Sequence, residues 1–365
     1  MLSLRFSLKC FLPEPLLLTP PKTMSSDPFD IVIPLFRVRW NTRAVMEGLT
    51  SHYQPRSIHI ITLPEEVDKL KTASQTWTTA PLHVHNEEIF FQARGLTKTA
   101  VCKELNLGKS LYNPGWFYQQ LLKLGAFEGI PELSEWYLVW DSDLLPAETW
   151  PIFRSKGESL EHVFALLQHN AYGNPAIVGK WETWIQEVLG VTPLTDEIGT
   201  FVPHHMWFKQ THLKAFAQRV ADYYDSTDHW LLLMMRSAND FGTFSEYWAY
   251  VSWVAAQAPK DIAFYPYATY GETTERFFDD GTGMFSTALR KHLSVDSVGP
   301  DDGFSPSYQD VWTFIQTEYG ADALPSSLAF ESSPRHLKKN SENMHIEEQR
   351  SRWNPRMASE TVKTG

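Results

Sequence analysis

The sequence predicts an α/β domain with a mostly parallel central sheet flanked by helices. Three observations predict it. From Asp30 onward, apolar β-branched runs alternate with segments whose apolar residues recur at helical spacing. The run WYLVW (136–140) is unbroken, as expected of a strand covered on both faces. It stops abruptly at Asp141-Ser142-Asp143, and ligands of open α/β sheets sit outside the carboxyl ends of strands.

Taken in order, DIVIPL (30–35) is a buried strand, 42–49 a helix, and SIHIITL (57–63) a second strand. EEVDKLKTA (65–73) is helical and PLHVHN (81–86) a third strand, so the chain opens β-α-β-α-β. Asn113-Pro114 starts a helix, with Asn as N-cap and Pro at the first helical position, and the helix runs to Leu124. After the 136–140 strand, helical patterns cover 158–169 and 181–189. TFVPHHMWF (200–208) reads as a strand, 211–224, 228–237 and 245–257 as helices, and 262–268 as a late strand. Residues 332–365 turn polar and charged with no apolar periodicity, as expected of a disordered tail. Residues 1–27 form a leader whose apolar run is broken by Lys9, Pro13, Glu14 and Pro15. That favours a flexible leader over a signal anchor, and a cytoplasmic placement over a secretory one. One catalytic domain over 28–331 between two loose ends is the expected organisation.

Composition excludes some partners. With 32 basic against 43 acidic residues in 365, the formal charge is −11. Such a chain is a poor clamp for nucleic acid, because phosphate neutralisation needs clustered Lys and Arg. Two cysteines, Cys10 and Cys102, build neither a disulfide framework nor a thiolate metal site. No stretch is apolar enough to span a bilayer. Fourteen tryptophans are the unusual count; their flat rings suit both core packing and stacking on a base or sugar.

The chemistry centres on the D-S-D triplet. Two carboxylates one residue apart at a strand end can hold a hard cation, Mn²⁺ or Mg²⁺, which neutralises a diphosphate and helps it leave. The bland alternative is a solvated turn whose Asp side chains bond local N–H groups. His204 and His205 are further metal-ligand candidates, and adjacent strand residues face opposite ways, so only one of them faces the site. Glu246 is the candidate acid or base. Its competing reading is a capping box with Thr243 at the start of the 245–257 helix. Gln120 and Lys123, on the helix before the triplet, offer an amide and a point charge near the strand end, although the residue pattern alone reads more simply as a solvated helix face. Trp140, with Trp207 and Trp248, flanks the motifs and is a candidate stacking residue, although most tryptophans are core. His83-x-His85 with Glu87 and Glu88 has metal-like spacing but reads more simply as a solvated strand face. The clusters 279–281 and 301–303 lack the ligand pattern of a calcium loop and read as turns.

The order DIVIPL, YNPGWFYQQLLKL, WYLVWDSDLL, FVPHHMWF, FSEYWAY over roughly 28–270 resembles the DUF6492 group of glycosyltransferase-like proteins. The resemblance implies a GT-A, Rossmann-like fold and metal-dependent transfer of a sugar from a nucleotide-diphospho-sugar donor to a glycan, lipid or protein acceptor. It implies that Asp141 and Asp143 are the D-x-D, one positioning the nucleotide and the other ligating the metal. Asp143 then counts with Glu246 as catalytic, and Asp141, Gln120, Lys123 and Trp140 as donor-binding. Two other readings stand beside it. One is a haloacid-dehalogenase-like phosphohydrolase with Asp141 as nucleophile, although Leu145 departs from that motif. The other is a binding protein that keeps the donor pocket without turnover.

Overall fold

The computed structural model describes residues 28–105, 114–150 and, with short gaps, 153–330. Strand β1 (Asp30–Leu35) is followed by α1 (Thr42–Tyr53), β2 (Ser57–Thr62), α2 (Pro64–Ala73) and β3 (Leu82–Asn86). Every residue of β1 and β2 is buried, which is why both read as continuous rather than alternating apolar runs. Helix α2 begins on Pro64, and Glu65 and Glu66 in its first turn complement the helix dipole. The short α3 (Lys98–Lys103) is capped by the Thr97 side chain, which accepts the Ala100 N–H. Helix α4 (Pro114–Leu124), the one-turn α5 (Ala126–Gly129) and β4 (Trp136–Trp140) come next. Asn113, the expected cap of α4, lies outside the described residues, as do the leader, the 332–365 tail, 279–281 and Asp301-Asp302.

Strands β1, β2, β3 and β4 pair in parallel, and β10 (His205–Lys209) adds antiparallel to β4, giving the order β10-β4-β1-β2-β3. The predicted mixed α/β architecture with a mostly parallel sheet is therefore the one observed. Register assigns the faces. Asp30 lies opposite Ser57 and Tyr137, and His59 opposite His83. Asp30, His59, His83, His85, Tyr137 and Val139 accordingly share one face, and Ile31, Ile58, Val84 and Trp140 the other. Helix α1 covers the second face, where the Tyr53 and Trp140 rings are 5.6 Å apart. The first face is covered by α4 and by α9 (Glu246–Gln257), whose Tyr250 meets Phe208 edge-on at 4.4 Å.

The remaining elements brace this layer. β5 (Leu144–Pro146) pairs antiparallel with β13 (Ser327–Phe330), itself parallel to β12 (Thr274–Phe277). β6 (Phe153–Lys156), β7 (Ser159–Phe164) and β11 (Ile262–Phe264) form a second small sheet. β8 (Leu167–Gln168) pairs with β9 (Gly199–Thr200). The segment expected to be helical at 158–169 is thus strand, because pairing on both sides of β7 outweighs an ambiguous local pattern. The strand expected over 200–208 is likewise two pieces, β9 and β10. Helices α6 (Pro175–Trp184), which continues as a π-helical turn to Leu189, α7 (Gln210–Tyr224) and α8 (Trp230–Ser237) pack behind β10 and α9. Helix α10 (Phe285–His292) and helix α11 (Tyr308–Tyr319) complete the fold. A reciprocal Ser307/Asp310 capping box starts α11, and the Tyr308 N–H donates to Glu47 of α1 at 2.8 Å. Among the described residues, no helix is long and apolar enough to cross a membrane.

Candidate metal centre

Strand β4 ends at Trp140, and the backbone turns at once: the Leu144 N–H donates to Asp141 O at 3.1 Å. The Asp141 N–H donates to His204 O at 2.8 Å, extending the ladder that pairs Trp140 with His205. Because β10 runs antiparallel, its first residues lie at the carboxyl end of β4. That places His204 across from Asp141. Carboxylate oxygens of Asp141 and Asp143 and a ring nitrogen of His204 lie within 4.8 Å of one another. Among the described residues it is the one such group of three. Two carboxylates and one imidazole fit a divalent cation that accepts oxygen and nitrogen, Mn²⁺ more readily than Mg²⁺.

The structure separates the two adjacent histidines. His204 Nδ1 lies 3.4 Å from Asp141 Oδ2. His205 points to the opposite face, stacked on Trp140 at 4.8 Å and edge-on to Trp150 at 4.9 Å. Burial, and secondarily His204, pushes its pKa down to about 3, so it is a neutral core residue outside the aspartate cluster. Trp140 also lies in this core. It is fully buried and its indole N–H donates to Leu144 O at 2.8 Å, which leaves no face for a donor to stack on. Trp207 and Trp248 are core as well, the first against Phe29 and the second donating to Leu194 O at 2.7 Å.

A buried charged network lies beneath Asp141, on the α4 and α9 side. Lys123 Nζ is 2.7 Å from Asp141 Oδ1 and 2.8 Å from Glu246 Oε1, and sits 4.3 Å above the Tyr247 ring. The Tyr247 hydroxyl donates to Asp141 Oδ1 at 3.0 Å. Gln120, one turn before Lys123, accepts the Glu246 N–H at 3.3 Å. Its Nε2 is buried with no hydrogen-bond partner. The solvated-face alternative for α4 therefore fails, since Gln120 and Lys123 are 3% and 6% exposed. The capping-box alternative for Glu246 fails too. Ser245 is the N-cap, so Glu246 begins the helix instead of standing three residues inside it.

Electrostatics follow from this arrangement. Burial opposes ionisation of Asp141, but Lys123 and His204 outweigh it and hold the carboxyl well below the usual range. Burial likewise opposes the charge on Lys123, and the carboxylates of Asp141 and Glu246 hold its pKa well above the usual value. Tyr247 is pushed up by burial and by Asp141, so it stays a neutral donor.

Two features of this sheet edge had no part in the sequence reading. Phe36, 57% exposed, leaves the carboxyl end of β1 beneath the Arg37 guanidinium, with Arg39 two residues on. Aromatic and basic residues directly after a buried strand were the available signal. A cleft of about 390 Å³ opens beyond the carboxyl ends of β2 and β3, lined by Leu63, Pro64, Glu87, Glu88, Lys98 and Cys102.

Residues 40–285, more than half of the chain, match a family described as a family of unknown function, DUF6492. The chain belongs to the DUF6492 family. No curated protein matches it. Among solved structures, this DUF6492 chain is similar to the apo form of mouse xyloside xylosyltransferase 1, at 9% identity and a TM-score of 0.38, over 77% of this chain and 99% of that one. It is also similar to the PaToxG glycosyltransferase, at 8% identity and a TM-score of 0.34, over 79% and 87%. A third is glucosyl-3-phosphoglycerate synthase from Mycobacterium tuberculosis in complex with Mn²⁺, UDP-glucose and phosphoglyceric acid, at 10% identity and a TM-score of 0.30, over 78% and 88%.

Proposed function

We propose that this DUF6492 protein is a metal-dependent glycosyltransferase of GT-A type, taking a sugar from a nucleotide-diphosphate donor. The observation that carries the reading is the Asp141–Asp143–His204 cluster at the carboxyl end of β4. These three residues would hold a Mn²⁺ or Mg²⁺ ion, which would supply charge neutralisation for a departing diphosphate. The chain's own residues do the rest. Lys123 and Tyr247 bind one oxygen of Asp141, so the carboxylate is fixed in orientation and stays ionised. Glu246 holds Lys123 from the other side, and Gln120 satisfies the first N–H of α9. Glu246 is 6% exposed and ion-paired, which suits a positioning residue better than a base that must reach an acceptor hydroxyl. Arg37 and Arg39, after β1, stand at the same end of the sheet and add cationic groups for phosphate oxygens. The cleft beyond β2 and β3 opens at the carboxyl ends of the same sheet.

Thermal shift with UDP-, GDP- and ADP-sugars, with and without Mn²⁺, tests this. A donor at about one hundred times its Kd stabilises by about 2.7 kcal/mol, so one nucleotide class gives a rise of several degrees that depends on Mn²⁺. No stabilisation by any of them would sink the reading. Slow donor hydrolysis without acceptor separates an enzyme from a binding protein. Asp143→Ala is expected to lose the Mn²⁺ dependence and to keep its fold. Release of inorganic phosphate from phosphomonoesters, with no response to nucleotide sugars, would instead support the phosphohydrolase.

A further inference from the structure

The parallel register of β2 and β3 brings a third histidine to the His83-x-His85 pair. His59 lies directly opposite His83, and all three side chains project from the same face. His59 stacks on His83 at 4.9 Å and on His85 at 5.3 Å. His59 Nδ1 and His85 Nε2 are hydrogen-bonded at 3.1 Å, one ring's N–H donating to the other's nitrogen. Two imidazole nitrogens bound to one zinc ion at 2.0–2.1 Å would sit roughly 3.3 Å apart. An ion held between them would take the place of that shared proton at nearly the same nitrogen–nitrogen spacing.

We propose that His59, His83 and His85 form a second metal site, for a borderline divalent ion such as Zn²⁺, at the β3 edge of the sheet. It is distinct from the aspartate cluster on β4. His83 is exposed, so its ring can swing from its stack to complete the set without displacing a buried group. His59 is 7% exposed, and its Nε2 is buried with no hydrogen-bond partner, facing Asp30 Oδ2 at 3.9 Å. A histidine that ligates through one nitrogen and directs the other toward a carboxylate is the usual outer-shell arrangement for zinc. Asp30 is itself held rigidly by the Arg56 guanidinium and the Ser134 N–H. The imidazoles of His59 and His85 are neutral at pH 7, pushed down to about 4 chiefly by burial, so a metal competes with one shared proton and not with two charged rings. Glu87 and Glu88, the neighbours that first gave this stretch its metal-like look, are engaged elsewhere. Glu87 pairs with Lys98, and Glu88 accepts the Thr99 N–H. Oxygen donors thus gather at β4 and nitrogen donors at β3, and the two sites differ in the ions they prefer.

The test uses the full chain carrying Asp143→Ala, which disables the aspartate cluster. Calorimetric titration with Zn²⁺ at pH 7.5 should give one equivalent. Adding His83→Ala should weaken it by more than ~10-fold, since outer-shell partners alone carry ~10–100-fold. His83 is at the surface, so this variant is expected to keep its circular dichroism spectrum. With Cu²⁺ as probe, nitrogen couplings in the electron paramagnetic resonance spectrum should fall from three to two. His85→Ala should produce the same two changes. Zinc affinity and nitrogen count unmoved by both substitutions would overturn the proposal, as would absence of zinc binding in the Asp143→Ala chain. Neither result bears on the Mn²⁺-dependent donor response of the unmodified chain, so this site and the proposed transferase stand or fall separately.

Discussion

Lys123 carries more consequence than any other single side chain near the metal centre. It is buried between two carboxylates that repel each other without it. Removing one partner of such a buried group typically costs about 3–5 kcal/mol, because the remaining charges stay desolvated and uncompensated. We expect Lys123→Met to destabilise the fold by that order in urea unfolding. A loss below about 1 kcal/mol would place the network in solvent. Glu246→Gln keeps an oxygen to accept from Lys123. As a positioning residue, Glu246 should then leave the shape of the pH–rate profile of donor hydrolysis unchanged. Disappearance of the acidic limb would restore it to the role of catalytic base. Both side chains were legible as candidates in the sequence, Lys123 on the helix before the acidic triplet and Glu246 at the start of the 245–257 helix. That they meet was not, because 123 residues separate them along the chain and no local pattern encodes such a contact.

At the scale of elements, β4 serves different purposes on its two faces. Val139 and the following Asp141 look toward α4 and α9, whereas Trp140 looks toward α1 and His205. Trp140→Ala should therefore cost about 3–5 kcal/mol as a core truncation while leaving the Mn²⁺-dependent donor shift in place. A selective loss of donor response would return Trp140 to the binding site. The contact between α1 and α11 is set by Gly48. A Cβ there would come within 2.8 Å of the Tyr308 ring and 3.1 Å of Pro146 Cγ. Gly48→Val is expected to destabilise by roughly 1–3 kcal/mol through overpacking, read as a lowered urea midpoint with an unchanged m-value. The strands that the sequence delineates best, β1, β2 and β4, are those buried along nearly their whole length. It misreads β7, whose strand state depends on partners at 153–156 and 262–264.

For the whole molecule, two buried histidines and one half-buried histidine contribute to the response to acid. His205 is held down to about 3, and His59 and His85 to about 4, burial being the first cause in each. In the unfolded chain each titrates near 6.5. Between about pH 6.5 and 4 the unfolded chain thus takes up protons that the native one refuses, and stability falls as pH drops. Each histidine contributes up to about 1.4 kcal/mol per pH unit in that window. Replacing His205 by Phe keeps an aromatic ring against Trp140 and removes one titrating group. The pH slope of its unfolding free energy should therefore be shallower than that of the unmodified chain. Identical slopes would mean that His205 is protonated in the native state.

By itself the sequence determined where the main strands lie, that β4 is covered on both faces, and that two carboxylates follow it without a spacer. These properties are local, carried by side-chain periodicity and by the abrupt change from apolar to acidic residues. Only the tertiary structure decided what stands beside those carboxylates. An antiparallel β10 brings the start of its strand to the end of β4, which puts His204 with the aspartates and turns His205 into the core. The crossing of α4 and α9 over the same face joins Lys123 and Glu246 beneath Asp141. Strand direction and register belong to pairs of elements, and a single segment does not contain them.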